Sequence, residues 1–373
     1  VEWNTNLSWN VPPNVTLKGA GTNVLGGGDA TVIIDNYAVN RPLLTIKLPS
    51  TGFFRMTGIT IKGGPSGALK DNGVLGFYGP GILRIDHCHF DTRSYLQPTP
   101  ARAQKIPVIG NGVYGVMDQC ILDLFGASAP YIFNGAGSDG KGDRTWTQPT
   151  DFGGSNFFFM EDNQFNGYCS NGICESRLSD GWSAARAVIR FNNLHNCSGP
   201  EGHGTGHAGD DRGFRAIEYY GNRSTADEEA LKAANGPNYK MISIHSGGAL
   251  IWGNEALGCY KNGIIFNVTR KNNSTYWQRA IPYGWDYCGT DFNGVGSPWD
   301  GNTNTKTGYP CIDQPGRGAG DLLTGVFADG SKVNSRTGTI TWPNQTLEPI
   351  YIFNNSISIV PGWGGALISN QTC

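Results

Sequence analysis

A short strand-like phrase recurs along this chain, and it restricts the fold more than any other feature of the sequence. It consists of alternating apolar residues, an Asn or a Cys, any residue, and another apolar residue, as in FFFMEDNQF, AVIRFNNL and YIFNNSI. The anchor residues are Cys88, Cys120, Asn163, Asn192, Asn222, Asn254 and Asn355. Their spacings are 32, 43, 29, 30, 32 and 101 residues, and a looser copy surrounds Ile59. A period of this size, lengthened by insertions, indicates a repeat architecture.

The residues around each anchor predict the local structure of one repeat. Positions three and five before the anchor are mostly apolar, which is the two-residue period of a strand with one buried face. The chain holds 55 glycines, and a single helix is predicted, from Ser224 to Asn235. We therefore predict one all-β domain over residues 1–373, a solenoid of about ten turns of parallel strands, with long loop insertions at 125–155 and 260–348. An Asn at the same corner of each turn can bond the turns above and below it.

Several longer phrases resemble those of a known superfamily. The opening VPPNVTLKGAGTN, followed by FRMTGITIKGG, is similar to the first turns of the right-handed parallel β-helix proteins of the pectate-lyase-like superfamily. IDHCHF, GVYGVMDQC, RGFRAIEYYGN and GYPCIDQPGRGAGDLL resemble a poorly characterised group of secreted bacterial and phage-borne β-helix proteins. The resemblance implies a single-stranded right-handed parallel β-helix and a role in cleaving or binding carbohydrate, as in lyases, hydrolases, tailspikes and adhesins. A fold alone does not assign a reaction.

The second residue before each anchor should point outward if the third and fifth point into the core. This column consists of Asp86, Asp118, Glu161, Arg190, Tyr220, Trp252 and Phe353. Turns stack about 4.8 Å apart, so carboxylates on adjacent turns approach the roughly 5 Å separation of retaining glycosidases. We predict Asp118, Glu161 and Asp86 as catalytic candidates, Arg190 as the partner of a charged sugar, and Tyr220 and Trp252 as stacking residues. The alternative is a solvated strand face whose charges discourage edge pairing.

A Gly-rich segment, EGHGTGHAGDDRGFR from Glu201 to Arg215, gathers a second set of polar residues. His203, Asp210 and Asp211 are candidate substrate-binding residues, and His and Asp are also metal-ligand types. Pieces of the segment resemble polygalacturonase-like hydrolases, but their order differs and the remaining motifs are missing, so no mechanism is transferred. No metal ligand or cofactor is assigned. Calcium stays open because the acid cluster of the superfamily's lyases is only partly matched.

Cysteines and glycosylation sequons predict a secreted, extracellular protein. The nine cysteines form no C-x-x-C pair, which argues against a zinc site and for disulfides. Cys288 and Cys311 are candidates for a bridge, and Cys373 for the unpaired thiol. Candidate glycosylation sites are Asn6, Asn14, Asn196, Asn267, Asn273, Asn344 and Asn370. A chain rich in Asn, Ser and Thr also forms such sequons by chance.

The charge and the hydropathy of the sequence limit the classes of partner that we expect for this protein. The net charge is −2 with no run of basic residues, which argues against a nucleic-acid-binding surface. No apolar stretch reaches 18 residues, so no membrane span is expected. We predict contact with polysaccharide and leave open whether the protein is a hydrolase, a lyase or no enzyme. The alternative is a structural protein, a filament or phage-type appendage, because no capping helix precedes VEWNTNLSWNVPP and uncapped ends invite head-to-tail association.

Overall fold

The computed structural model describes residues 1–22, 24, 26, 28–64, 73–93, 104–135, 149–169, 176–182, 184–202, 213–232, 240–268, 315–318, 346–362 and 365–372. The strands of the first part of the chain are β1 (Glu2–Trp3), β2 (Leu7–Asn10), β3 (Val15–Lys18), β4 (Val32–Asp35), β5 (Leu44–Lys47), β6 (Phe53–Thr57), β7 (Thr60–Gly63), β8 (Leu75–Tyr78), β9 (Ile82–Asp86), β10 (His89–Asp91), β11 (Gln104–Lys105), β12 (Val108–Ile109), β13 (Tyr114–Asp118) and β14 (Ile121–Leu124). The elements of the second part are β15 (Ala127–Ser128), β16 (Tyr131–Ile132), β17 (Phe158–Glu161), β18 (Gln164–Gly167), β19 (Asp180–Gly181), β20 (Ala185–Arg190), β21 (Asn193–His195), β22 (Glu201–Gly202), β23 (Phe214–Tyr220), β24 (Arg223–Thr225), α1 (Glu228–Lys232), β25 (Lys240–Ile244), β26 (Gly248–Trp252), β27 (Glu255–Tyr260), β28 (Asn262–Val268), β29 (Arg317–Gly318), β30 (Thr346–Leu347), β31 (Tyr351–Phe353), β32 (Ser356–Ile359) and β33 (Ile368–Thr372).

The chain folds as a parallel β-helix with three long sheets. Sheet A consists of β1, β4, β7, β10, β14, β18, β21, β24, β27 and β32. Sheet B consists of β2, β5, β8, β12, β16, β19, β22, β25, β28 and β33. Sheet C consists of β3, β6, β9, β13, β17, β20, β23, β26 and β31. Each turn therefore visits sheets A, B and C in order, which confirms the predicted solenoid. Its right-handed sense stays a prediction, in keeping with the usual hand of parallel crossovers.

The predicted apolar columns form the core. The residues three before the anchors, Ile85, Met117, Met160, Ile189, Tyr219 and Ile251, are fully buried. The residues five before them, Leu83, Phe158, Ala187, Ile217 and Ala249, are fully buried as well. The side chains alternate between core and surface because strand residues alternate faces. The period read from the sequence is therefore the true period of sheet C.

A two-residue corner joins sheet C to sheet A in every turn from β6 onward. Its first residue is left-handed, and it is glycine at Gly58, Gly221 and Gly253, where that conformation carries no Cβ penalty. At the other corners His87, Gln119, Asp162, Phe191 and Asn354 adopt φ values between 51° and 58°. The second corner residue is the anchor of the repeat. The recurring phrase thus marks one sharp bend of the backbone.

The anchor asparagines form a hydrogen-bonded ladder through the buried corner. Asn163 Nδ2 donates to Asn192 Oδ1, and Asn192 Nδ2 donates to Asn222 Oδ1, each at 3.0 Å. The ladder continues from Asn222 to Asn254 at 3.0 Å and from Asn254 to Asn355 at 2.8 Å. Each Oδ1 also accepts the backbone N–H of the preceding anchor, as Asn192 Oδ1 does from Asn163 N at 3.0 Å. The side chains therefore satisfy corner groups that have no water to bond.

The structure differs from the sequence analysis in its connections. The predicted helix begins later, at Glu228, because Arg223–Thr225 extends sheet A beside β21, and its predicted end after Lys232 lies outside the described residues. Strands β15 and β16 occupy part of the first predicted insertion, and β28 occupies part of the second. β26 pairs directly with β31, so the long gap before Asn355 hides no further turn of sheet C. No helix in the described residues is long and apolar enough to span a membrane.

Candidate functional site

The column predicted from the sequence lies in register along the outer face of sheet C. In order along the ladder, its members are Asp86, Asp118, Glu161, Arg190, Tyr220, Trp252 and Phe353. β13 pairs directly with β17, so Asp118 and Glu161 are neighbours although they are 43 positions apart in the sequence. The structure thus brings the three predicted acids together.

Asp86 is fully buried and tied into ion pairs. Arg55 donates to its two oxygens from Nε at 2.7 Å and Nη2 at 2.8 Å, and Thr57 Oγ1 donates at 2.7 Å. Burial alone would raise the pKa of Asp86, but the hydrogen bonds from Arg55, Thr57 and His87 hold that pKa well below its usual range. A carboxylate held this firmly in its ionised form is a poor proton donor. The geometry favours a structural role for Asp86 over the predicted catalytic one.

Asp118 has a different environment. Its Oδ2 accepts from Arg84 Nη2 at 2.8 Å, while its buried Oδ1 has no hydrogen-bond partner among the described residues. Burial raises the pKa of Asp118, the carboxylates of Asp86 and Glu161 add to this rise, and Arg84 opposes it. A buried carboxyl group with a raised pKa is the form that a general acid needs. Asp118 therefore keeps its place as a catalytic candidate.

Replacing Asp118 with Asn should stabilise the protein at neutral pH. A raised folded-state pKa means that the folded chain disfavours the ionised form, so ionisation costs stability above that pKa and nothing below the unfolded pKa. We expect the Asn variant to have the larger free energy of unfolding at neutral pH, with the difference shrinking on acidification to about pH 4. Urea unfolding over this range measures it. A less stable variant at neutral pH would show that the ion pair with Arg84 outweighs the cost of burial.

Arg190 joins the acidic half of the column to the aromatic half. Its Nε and Nη2 lie 2.5 Å from Glu161 Oε2, and Nη1 donates to Tyr220 Oη at 2.8 Å. The side chains of Glu161 and Arg190 remain 25% and 30% exposed. They are therefore more accessible to solvent than Asp86 and Asp118, the other charged residues of the column. A charged sugar would have to compete with Glu161 for the guanidinium.

The aromatic half of the column packs upon itself. Tyr220 and Trp252 stack with ring centroids 4.4 Å apart, Trp252 stacks on Phe353 at 5.9 Å, and Phe191 meets Tyr220 edge-on at 5.6 Å. Phe152, from the first insertion, packs against the same cluster. Because neighbouring rings occupy these faces, the geometry does not favour the predicted stacking of a sugar on Tyr220 or Trp252. The rings instead stabilise the wall of the β-helix.

Long connections border sheet B at both of its edges, whereas they border sheet C only at the edge that faces sheet B. Those that lead from sheet B to sheet C include 133–157, 203–213 and 269–350. Those that lead from sheet A to sheet B include 64–74, 92–107, 168–179 and 226–239. Among the described strands from β6 onward, only sheet B has long segments at both edges, since the corner from sheet C to sheet A is always short. Loops on a rigid scaffold commonly carry binding groups, which directs attention to the face of sheet B.

An aromatic strip runs along the outer face of sheet B. Tyr131 lies 5.8 Å from Phe133 and 6.1 Å from Trp182, and Tyr78 lies 5.9 Å from Phe133, measured between ring centroids. The ring planes meet at angles of 43° to 60°, and all four side chains are partly exposed. Lys105 Nζ lies 4.0 Å from the centroid of the Tyr131 ring. Unlike the column on sheet C, these rings do not stack face to face, so parts of their faces stay accessible.

The aromatic strip ends at a cluster of buried charges. Asp180 and Glu201 lie opposite each other in the register of the adjacent strands β19 and β22. Lys240 Nζ lies 2.8 Å from Glu201 Oε1, Arg177 Nη1 lies 2.8 Å from Glu201 Oε2, and His245 Nε2 lies 3.9 Å from Oε1. Asp180, Glu201 and Lys240 are less than 10% exposed. Charged groups are costly to bury unless they are paired, and such clusters are enriched at functional sites.

Lys240 is a buried titratable group of this cluster whose environment shifts its pKa. Burial lowers the pKa of Lys240, and the carboxylate of Glu201 opposes that effect. The amine therefore releases its proton more readily than an ordinary lysine. Together with Asp180 and Glu201, it places three groups capable of proton transfer on one face.

Sequence analysis identified only part of this cluster. Glu201 opens the Gly-rich segment that was singled out, but Asp180, Lys240 and His245 were missed. Their strands follow the anchor phrase by different distances and carry no Asn of their own, so no repeat signal aligned them. An alignment of the sheet B strands turn by turn would have placed Asp180 beside Glu201. His203, Asp210 and Asp211 lie outside the described residues and stay predictions.

The candidate glycosylation sites are partly described. Asn6 and Asn14 are exposed. Asn196 is buried, its Nδ2 donates to Asp227 Oδ2 at 2.9 Å, and its Oδ1 accepts from the Asp227 backbone N–H at 2.8 Å. This geometry favours a structural role for Asn196, and its glycosylation stays a prediction. The remaining candidates lie outside the described residues or have side chains that do: Asn267, Asn273, Asn344 and Asn370.

The predicted disulfides and the predicted secretion stay predictions. Cys88, Cys120, Cys197 and Cys259 are free and buried. Cys88 and Cys120 occupy the anchor position, where a sulfur faces a carbonyl oxygen in place of the Asn side chain, as Cys120 Sγ does 3.3 Å from Asp118 O. Cys288, Cys311 and Cys373 lie outside the described residues.

Comparisons with protein-family models, with curated proteins and with solved structures find no match to this chain. The strand order shows the parallel β-helix, whereas the resemblance to the pectate-lyase-like superfamily stays a prediction.

Proposed function

We propose that the protein binds polysaccharide along the outer face of sheet B and hydrolyses it between Asp180 and Glu201. One observation carries the proposal: the two carboxylates lie on adjacent turns, at the end of the aromatic strip. Adjacent strands are about 4.8 Å apart, close to the roughly 5 Å that separates the carboxyl groups of retaining glycosidases. Aromatic rings are apolar platforms suited to the faces of sugars.

The surroundings of the two acids support different roles. The cationic groups of Lys240 and Arg177 each lie 2.8 Å from an oxygen of Glu201, and two cations at this distance favour the ionised form that a nucleophile needs. Asp180 would then donate a proton to the leaving glycosidic oxygen while Glu201 attacks the anomeric carbon. In the second step Asp180 would take a proton from water, which cleaves the glycosyl ester and releases Glu201.

The basic residues of the cluster favour an acidic sugar. Arg177 is 37% exposed at its side chain, so its guanidinium can meet a carboxylate of the substrate as well as Glu201. Arg guanidinium groups bind carboxylates in two-pronged pairs. We therefore expect polysaccharides that contain uronic acids to be better ligands than neutral ones.

Product release from a panel of acidic and neutral polysaccharides tests the proposal. New reducing ends would report cleavage, and absorbance of unsaturated uronate would report elimination instead of hydrolysis. We expect Glu201→Gln to lower the rate by about 100-fold, and Asp180→Asn to do the same. The matched control is Glu161→Gln, the equivalent change on sheet C, which should leave the rate within about twofold of wild type.

Each result assigns the activity to the outer face of sheet B or of sheet C, or shows that the protein has no such activity. A rate that collapses in Glu161→Gln and survives in Glu201→Gln would transfer the reaction to the column predicted from the sequence, with Asp118 as its acid. Release of unsaturated products would make the protein a lyase and point to Lys240 as the base. No release from any substrate would overturn the enzymatic proposal.

A non-enzymatic role is the second candidate, and one observation favours it. The last described turn leaves large apolar side chains half exposed, among them Tyr351, Phe353, Leu367 and Ile368. A second copy stacked on this turn would cover them and extend the sheets, as in a filament. Light scattering and electron microscopy of the purified protein would show fibres or larger assemblies if this role is correct, and a monodisperse monomer at all concentrations would contradict it.

A further inference from the structure

Three donor groups converge on the outer face of sheet A, away from the proposed glycan face. His89 and Asp91 lie on β10, two residues apart and therefore on the same face, and Asp123 pairs with Asp91 from β14. One ligand atom from each of the three lies within 4.8 Å of the others. His89 and Asp123 are 5% and 6% exposed, so the group is built into the wall rather than spread over it.

Neighbouring residues hold the donors in place. His89 Nδ1 lies 3.1 Å from Asp29 Oδ2, which orients the ring so that Nε2 faces Asp123 Oδ2 at 3.1 Å. Asn166 Nδ2 donates to the other oxygen of Asp123 at 2.8 Å. A histidine that ligates a metal commonly bonds a carboxylate through its second nitrogen, and a ligating carboxylate is commonly fixed by a further hydrogen bond.

A separate observation concerns Thr60, which pairs with His89 from the adjacent strand β7. Thr60 lies on the same outer face, because the next residue, Ile61, packs in the core. It is fully buried, and its Oγ1 has no hydrogen-bond partner among the described residues. A buried hydroxyl group without a hydrogen-bond partner lowers the stability of the fold. Sheet A therefore contains an unsatisfied polar group beside His89 among the described residues.

The guanidinium group of Arg93 occupies the position that a metal cation would take between two carboxylates. Its Nη2 lies 2.8 Å from Asp91 Oδ2 and 3.1 Å from Asp123 Oδ2, between the two carboxylates. The side chain is 41% exposed and borders an open cleft of about 590 Å³, which Asp91 and Lys62 also line. Of the three donors, Asp91 lines this cleft, so movement of Arg93 into the cleft would open the Asp91 side of the group to solvent.

We propose that His89, Asp91 and Asp123 bind a divalent transition-metal ion, with Arg93 as a displaceable stand-in. An imidazole with two carboxylates suits zinc or manganese, whereas calcium prefers six or more oxygen ligands. Three protein ligands leave a coordination position open toward the cleft. The site is independent of the proposed hydrolysis on sheet B.

Metal binding to the full chain tests this proposal, with Zn²⁺ and Mn²⁺ each added alone. Titration calorimetry, and metal analysis after dialysis, should show one ion per chain. Asp123→Asn should abolish binding, and Asp29→Asn should weaken it by about 10- to 100-fold. Arg93→Gln should tighten binding by about fivefold, because the ion no longer has to displace an ion pair.

The matched control is His195→Ala. His195 lies on the same sheet and its Nε2 is 3.1 Å from Asp227, but it is not part of the proposed donor group. Binding that persists in Asp123→Asn, or that disappears in His195→Ala, would overturn the proposal. So would a failure of both wild type and Arg93→Gln to bind either ion, and the Arg93 variant decides the matter even if Asp123→Asn does not fold.

Discussion

Replacing Asn192 with Ala should lower the free energy of unfolding by about 3–5 kcal/mol, because it removes the middle of the asparagine ladder. Asn192 Oδ1 accepts from both the backbone and the side chain of Asn163 at 3.0 Å. Its Nδ2 donates to Met160 O at 2.9 Å and to Asn222 Oδ1 at 3.0 Å. Alanine would leave two donors of Asn163 buried without an acceptor, and each such orphan costs about 1–3 kcal/mol.

Chemical denaturation of variants at the anchor positions measures this effect. Asn192→Cys should be intermediate, because Cys occupies the same corner at Cys88 and Cys120, where its sulfur faces backbone carbonyl oxygens. Asn355→Ala should cost less than Asn192→Ala, since Asn355 is only half-buried. Equal stability of the Ala variant and the wild type would show that water satisfies the corner, and that the ladder is not a major source of stability.

Replacing Arg215 with Met should destabilise the protein by about 3–5 kcal/mol, because it leaves a carboxylate largely buried without its main cation. Arg215 is fully buried, and its Nη1 and Nη2 lie 2.6 and 2.8 Å from the two oxygens of Glu348. It sits at an irregularity of β23, where the pairing with β20 shifts by one residue. Such a bulge can re-aim a side chain. The ion pair joins two residues that are 133 positions apart in the sequence. It therefore holds the segment just before β31 against β23.

The double variant Arg215→Met with Glu348→Met separates pairing from packing. If the loss in the single variant comes from an uncompensated charge, the double variant should recover most of the stability, as apolar replacements of buried ion pairs often do. Urea unfolding of the two single variants and the double variant completes the cycle. A double variant as unstable as the sum of the single ones would mean that the ion pair itself contributes nothing, and that packing of the Arg215 side chain carries the effect.

Much of the fold could be predicted from the sequence because its determinants are local and repeated. The alternation around Met160 or Ile189 depends only on the strand period. The corner depends on a left-handed residue followed by a small polar anchor, as at Gly221 and Asn222. Once the anchors are aligned, the register of sheet C follows, but the 43-residue spacing left room for a further turn between Asp118 and Glu161, and only the direct pairing of β13 with β17 places them side by side.

The candidate site could not be read in the same way. Asp86 and Asp118 occupy equivalent positions of the repeat, yet Arg55 fixes one as an ion-paired carboxylate, while burial beside a weaker partner raises the pKa of the other. Tyr220 and Trp252 looked like platforms for sugars, but each uses its ring face on the other. The repeat pattern specifies a position on a face and not the neighbours that surround it.

The sequence by itself determined the parallel solenoid, the buried columns and the asparagine corner, since each is a short pattern whose energy comes from residues within a few positions or at the same place in the next turn. The tertiary structure decided where charges meet. Arg177, Glu201 and Lys240 come from three different turns, and the connections that bring them onto one face differ in length from turn to turn. Burial and electrostatic pairing depend on these non-local neighbours. The candidate site therefore exists only in the folded chain, where the pairing of the sheet B strands brings its residues together.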